Sequence, residues 1–81
     1  MNLFDAKLNA CCVIKEINVK DEKCKIRLME LGLIKGCKVI VKKKSVFKKN
    51  LLITFNYSCF TINDKFAKEI VVNYAWVFIN W

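Results

Sequence analysis

The sequence predicts a mainly β fold with one or two short helices, rolled into a small closed or nearly closed barrel. Three observations point there. Apart from one stretch, the apolar residues come in short alternating or β-branched runs of strand length. The exception, residues 22–31, has a helical period and ends at a glycine. Finally, 81 residues with 56% hydrophobic content supply one core, and five short strands in so small a chain leave edges that closure removes.

In chain order, residues 10–19 form the first strand. It opens on an apolar run, Cys11 to Ile14, and continues through Ile17 and Val19, and its inward parity is not decided by the pattern. Asp21 is placed to cap a helix over 22–31, with Glu22 favourable near the positive end of its dipole. At 100° per residue Cys24, Leu28 and Leu31 make one stripe, read as the core face. Ile26 and Met29 lie opposite it, where a solvated helix carries polar residues, and mark a candidate partner surface.

The only two glycines, Gly32 and Gly36, stand four apart where the period changes. Gly32 is expected at positive φ in a Schellman closure that brings Leu33 onto Leu28. Gly36 is expected at the third position of a type II turn, Ile34–Cys37. A second strand follows with Cys37, Val39 and Val41 inward. Residues 45–50 form a hairpin loop, 51–56 and 58–62 are strands, and Asn63 or Asp64 caps one helical turn through Ala67 before Ile70–Val72 closes the sheet.

The segment 27–39 reads R-L-x-E-L-G-L-x-x-G-x-x-V, and with the closing A-x-x-I-x-V at 67–72 it resembles the signature of the FeoA family. These are small cytosolic proteins that accompany the membrane ferrous-iron transporter FeoB. The resemblance covers residues 3–72, with Leu3, Leu8, Val13, Ile14 and Ile17 in matching places. It implies an SH3-like barrel over residues 1–73, followed by an apolar tail, 74–81. Four places in the chain, five residues in all, depart from the family pattern. Ala10 replaces a glycine before the first strand, Lys35 a proline before the second glycine, Lys49-Asn50 a Gly or Pro in the hairpin loop, and Tyr57 a glycine between the next two strands. Tyrosine tolerates positive φ poorly, so the Asn56-Tyr57 connection is expected to be rearranged.

The chemistry for catalysis is sparse. There is no histidine, the acids are scattered, and no glycine-rich phosphate loop is present, so no enzyme activity and no cofactor are expected. Cys11, Cys12, Cys24, Cys37 and Cys59 contain no C-x-x-C pair, and they read as small apolar residues in a reducing compartment; a thiolate ferrous-iron site is the alternative. Transition-metal association is implied only at the level of the family. The amino end does not read as a signal peptide, so a cytoplasmic location is expected.

A net charge of +8, nearly all from lysine, fits either nucleic acid or the anionic inner face of a membrane. Lysine lacks the forked contacts of base readout, which disfavours sequence-specific nucleic acid. Phe47 among Lys42, Lys43, Lys44, Lys48 and Lys49 is the nearest thing to a binding constellation.

The leading expectation is therefore an interaction module that docks on the transporter and affects its assembly or activity. Ile26, Met29, Glu30 and Leu33, together with the hairpin, form its contact surface. The alternatives are a small-barrel nucleic-acid binder, with Tyr57 or Phe60 also stacking, and a regulatory domain like that of iron-dependent repressors. The tail, residues 74–81, carries both tryptophans and no charge. Either the last strand extends through Trp76 onto the barrel, or Trp76, Phe78 and Trp81 anchor an intermolecular contact, to the transporter or to a second copy; the second is favoured.

Overall fold

Strand pairing is antiparallel throughout and follows the order β4-β3-β2-β1-β5. A computed structural model describes residues 1–75, so Trp76, Phe78 and Trp81 lie outside the described residues. The elements are a 3₁₀ turn at Leu3–Asp5, β1 (Cys11–Ile17), α1 (Glu22–Glu30), β2 (Lys38–Ser45), β3 (Asn50–Phe55), β4 (Ser58–Asn63), α2 (Asp64–Ala67) and β5 (Ile70–Tyr74).

Alternation fills the interior. Cys12 and Ile14 of β1, Val39 and Val41 of β2, Leu51 and Ile53 of β3, Ile62 of β4 and Ile70 and Val72 of β5 are all buried. Leu3 and Ala6, Val19, Leu28 from α1, Leu33 and Ala67 complete the core. Two bulges bend the sheet, one in β1 between Ile14 and Glu16 and one in β2 between Val41 and Lys43. Each reverses the in-out parity of its strand and increases the local twist, which lets a five-stranded sheet curl around so small a core.

Both helix caps act as predicted. Asp21 Oδ1 accepts from the Cys24 amide at 2.9 Å, and Asn63 Oδ1 accepts from the Lys65 amide at 2.9 Å. At the far end of α1 the Gly32 amide donates to Met29 O (3.0 Å) and the Leu33 amide to Leu28 O (2.9 Å), with Gly32 at φ 85°. This is the Schellman pair of bonds. Gly36 has φ 93°, and the Cys37 amide donates to Ile34 O at 3.1 Å, closing the second turn.

Two expectations need correction. Leu31 does not continue the core stripe: it is the C-cap of α1 and 42% exposed. It lies 60° around the helix from Leu28, and the chain reversal at Gly32 delivers Leu33 to the core in its place. The Asn56-Tyr57 connection is a tight two-residue turn in spite of the tyrosine. Phe55 pairs with Ser58 across a two-residue turn, with φ of 54° and 67° at Asn56 and Tyr57. Positive φ at both central positions is the type I′ geometry that matches strand twist, and the Tyr57 ring is fully exposed, so no packing opposes it.

One pairing has no signal in the periodicity. The amino terminus lies along the outer edge of β5, with Asn2 bridged to Val71 and the Val72 amide donating to Met1 O at 2.8 Å. That covers an edge which would otherwise be open.

Candidate interaction surfaces

The first surface is the outer arc of α1. With Leu28 pointing inward, Met29, Ile26 and Glu30 occupy successive positions roughly 100° to 200° around the helix, and all three are exposed, Ile26 at 51% and Met29 at 61%. The arc continues past the helix end into Ile34, 53% exposed. Between Met29 and Ile34 lies a small apolar hollow of about 190 Å³, also bordered by Ile17, Lys25 and Lys35, with Leu28 and Leu33 at its floor. Its size suits one apolar side chain of a partner. Leu33 is therefore corrected from contact residue to support: it is fully buried, because the Schellman closure turns it inward. Ile34 is the residue missed. Its signal was its position next to Leu33 between the two glycines, where the helical period has ended and no core direction is defined.

The two glycine turns hold this surface rigidly. The Cys37 thiol donates to Gly32 O at 3.4 Å, and the second turn is tied to β1 by Gly36 N to Ile14 O (2.8 Å) and Ile14 N to Cys37 O (2.9 Å).

The second surface is the β2–β3 hairpin. Its loop is the four residues Val46–Lys49, closed by Ser45 pairing with Asn50, with Lys49 at φ 53° and the Lys48 amide donating to Ser45 Oγ at 3.3 Å. Phe47 at the tip is 99% exposed and Val46 83%. The bulge after Val41 turns Lys44 to the inner side of β2, opposite the buried Leu51. There its ammonium sits 5.3 Å from the Phe4 ring centroid, and that of Lys68 sits 4.7 Å from the same ring. The two surfaces share no lining residue. Of the other aromatics considered for stacking, Phe60 is half-buried against the core. Tyr57 stands at the opposite end of β3 from Phe47, roughly 17–20 Å away at strand rise.

Burial pushes the Cys12 and Cys24 thiols above the ordinary range, which disfavours the thiolate that a soft metal requires. Among the described residues no three His, Cys, Asp or Glu side chains converge, and no helix is long and apolar enough to cross a membrane.

The model of the FeoA domain matches residues 1–74. No curated protein matches the chain. Among solved structures, the FeoA protein of Chlorobium tepidum superposes with a TM-score of 0.83 at 23% identity, over 91% of this chain and 70% of that one. The zinc complex of Stenotrophomonas maltophilia FeoA, described as a prokaryotic SH3-domain protein and candidate activating factor of ferrous iron transport, superposes with a TM-score of 0.75 at 26% identity, over 90% and 89%. A manganese-dependent transcriptional repressor gives a TM-score of 0.83 at 12% identity, but the match spans only 36% of its length. With the five-stranded SH3-like sheet, the two glycine turns and the family match over 1–74 in agreement, this chain belongs to the FeoA domain family, small accessory domains linked to ferrous iron transport.

Proposed function

We propose that this protein is a cytoplasmic accessory module of ferrous-iron uptake that docks on a FeoB-like membrane transporter and modulates its assembly or activity. The observation that carries the reading is the exposed apolar arc of Ile26, Met29 and Ile34, set beside the two glycine turns that mark the family. Apolar side chains held on a rigid helix end, around a hollow floored by Leu28 and Leu33, form the kind of pocketed patch on which binding energy concentrates. Lys25 and Lys35 border the hollow and Glu30 stands on the same arc, so the apolar patch has charges of both signs around it.

The test is association with purified transporter in its own membrane, by pull-down and cross-linking, with and without guanine nucleotide. Met29→Glu and Ile26→Glu are expected to abolish capture while leaving the melting temperature within a few degrees, since neither side chain belongs to the core. Failure of the unaltered chain to associate under both nucleotide conditions sinks the reading. In the same proposal Trp76, Phe78 and Trp81 add an intermolecular anchor, to the transporter or to a second copy. Deleting residues 75–81 is then expected to leave a folded, more monomeric barrel with weaker partner binding, and unfolding of the truncated chain would make the tail part of the core.

The competing readings gain less. A single-stranded nucleic acid would need Phe47 and a second aromatic along one basic track, yet Tyr57 lies at the other end of β3. The likeness to metal-dependent repressors supports a shared fold alone.

A further inference from the structure

A cleft of about 590 Å³ opens where the β2–β3 hairpin, α2 and the amino-terminal 3₁₀ turn meet. Four lysines line it, Lys44, Lys49, Lys65 and Lys68, against a single acid, Asp64. That leaves an excess of three positive charges in one concavity. Asp64 is the one acid of the lining, and its Oδ1 is buried without a hydrogen-bond partner. The walls are fixed rather than floppy: the Asp64 amide donates to Lys49 O at 2.9 Å, and the β2 bulge aims Lys44 inward over Phe4. Like charges gathered this way repel one another in the free protein and favour an anion between them.

Val46 joins this cleft to the tip of the same hairpin, where it and Phe47 project into water without serving the core. The stretch 42–49, Lys-Lys-Lys-Ser-Val-Phe-Lys-Lys, has five lysines around the two apolar residues and no acid. A soluble phosphate compound would use the lysines and leave Phe47 idle. A bilayer surface uses both, since basic residues are drawn to anionic headgroups while an aromatic tip settles at the headgroup boundary.

We propose that the hairpin tip and the lysine cleft form a membrane-docking element, in which the cleft takes the phosphate of an anionic lipid headgroup and Val46 and Phe47 enter the interface. The proposal gives a physical basis to the membrane-face location in the reading above. It is tested separately from transporter contact, because the cleft and the hollow on the α1 arc share no lining residue.

The test is co-sedimentation of the full chain with protein-free vesicles of phosphatidylcholine, with and without phosphatidylglycerol, so its result is separate from that of the transporter experiment. Binding to the phosphatidylglycerol vesicles and not to phosphatidylcholine alone is expected, with release at high salt. Phe47→Ala should weaken the partition about tenfold, the order for withdrawing a phenyl group from water, and Phe47→Trp should retain it. Lys65→Gln with Lys68→Gln should weaken it about 25-fold, roughly fivefold for each charge. Unchanged melting temperatures in these variants are expected, as all three side chains lie outside the core. Equal binding to both vesicle types, no binding at low ionic strength, or an unaffected Phe47→Ala variant would overturn the proposal. So would stoichiometric binding of inorganic phosphate without vesicle binding, or tighter, Phe47-dependent binding of a single-stranded oligonucleotide.

Discussion

The chain solves the same backbone problem in two ways. At the end of α1 and at the entry to β2 the turns carry glycine, with φ of 85° at Gly32 and 93° at Gly36. In the two hairpins the positive φ falls on Lys49, Asn56 and Tyr57, at 53°, 54° and 67°. The second set lies inside the narrow left-handed region that L-residues reach, roughly 50° to 70°, whereas the glycines lie beyond it. What differs is the demand of the surroundings. A helix end that must reverse and send Leu33 into the core, then turn again to enter β2, needs dihedrals outside the common wells. A hairpin needs only the strand twist, which left-handed residues supply at about 1–2 kcal/mol each. A family glycine can therefore be replaced in the hairpins of this chain.

The comparison can be broken most directly at Gly32. A Cβ there would meet the Phe55 ring at 3.6 Å, an ordinary contact, so what a Cβ by itself costs is conformational. Gly32→Val should lose about 1–3 kcal/mol and lower the melting temperature by at least about 4 °C; an unchanged value would mean that the closure does not need this φ. Capping is the next largest effect at the same helix. Asp21→Ala removes the bond to the Cys24 amide and should cost about 1 kcal/mol by chemical denaturation.

The hairpin side predicts a gain. Tyr57→Gly restores an Asn-Gly type I′ turn and discards a side chain with no packing, so stability should rise by up to about 1 kcal/mol. A loss would show that the exposed ring holds the turn in some other way. The smallest effect is expected from the thiols. Cys59 is exposed and Cys12 fully buried, so a thiol reagent should modify Cys59 in the native protein and Cys12 only on unfolding. Because burial raises the Cys12 pKa, the folded state holds that proton more tightly than the unfolded chain. Its contribution is complete below the ordinary thiol pKa of about 8.5 and is lost as pH rises through the folded value.

Where local chemistry decides the conformation, the sequence was sufficient at every cap and glycine turn, though not at Asn56-Tyr57, where tyrosine accepts the positive φ. Asp21 and Gly32 bracket α1, Gly36 starts the approach to β2, Asn63 caps α2, and the inward parity of Val39 and Val41 follows from alternation. Each of these depends on dihedral limits, a nearby cap or a period of two, and none requires knowledge of distant residues. The exposure of Ile26 and Met29 followed in the same way from the helical period.

Tertiary structure decided the rest. Period alone could not show that Leu31 faces outward and Leu33 inward, because the 100° rule stops where the helix stops and the reversal at Gly32 resets the direction. The bulge after Val41 depends on how β2 must bend against β3, and it alone turns Lys44 from the outer face to the cleft beside Phe4. That cleft is assembled from Phe4, the hairpin and α2, segments far apart in the chain, and their meeting is set by how the sheet closes over its core. The strands, the two α-helical segments, their caps and the glycine turns were legible in the residues, because their causes are local. Only the folded sheet decided which lysines share a cleft and which apolar residues remain outside, since those follow from curvature and contact between distant segments.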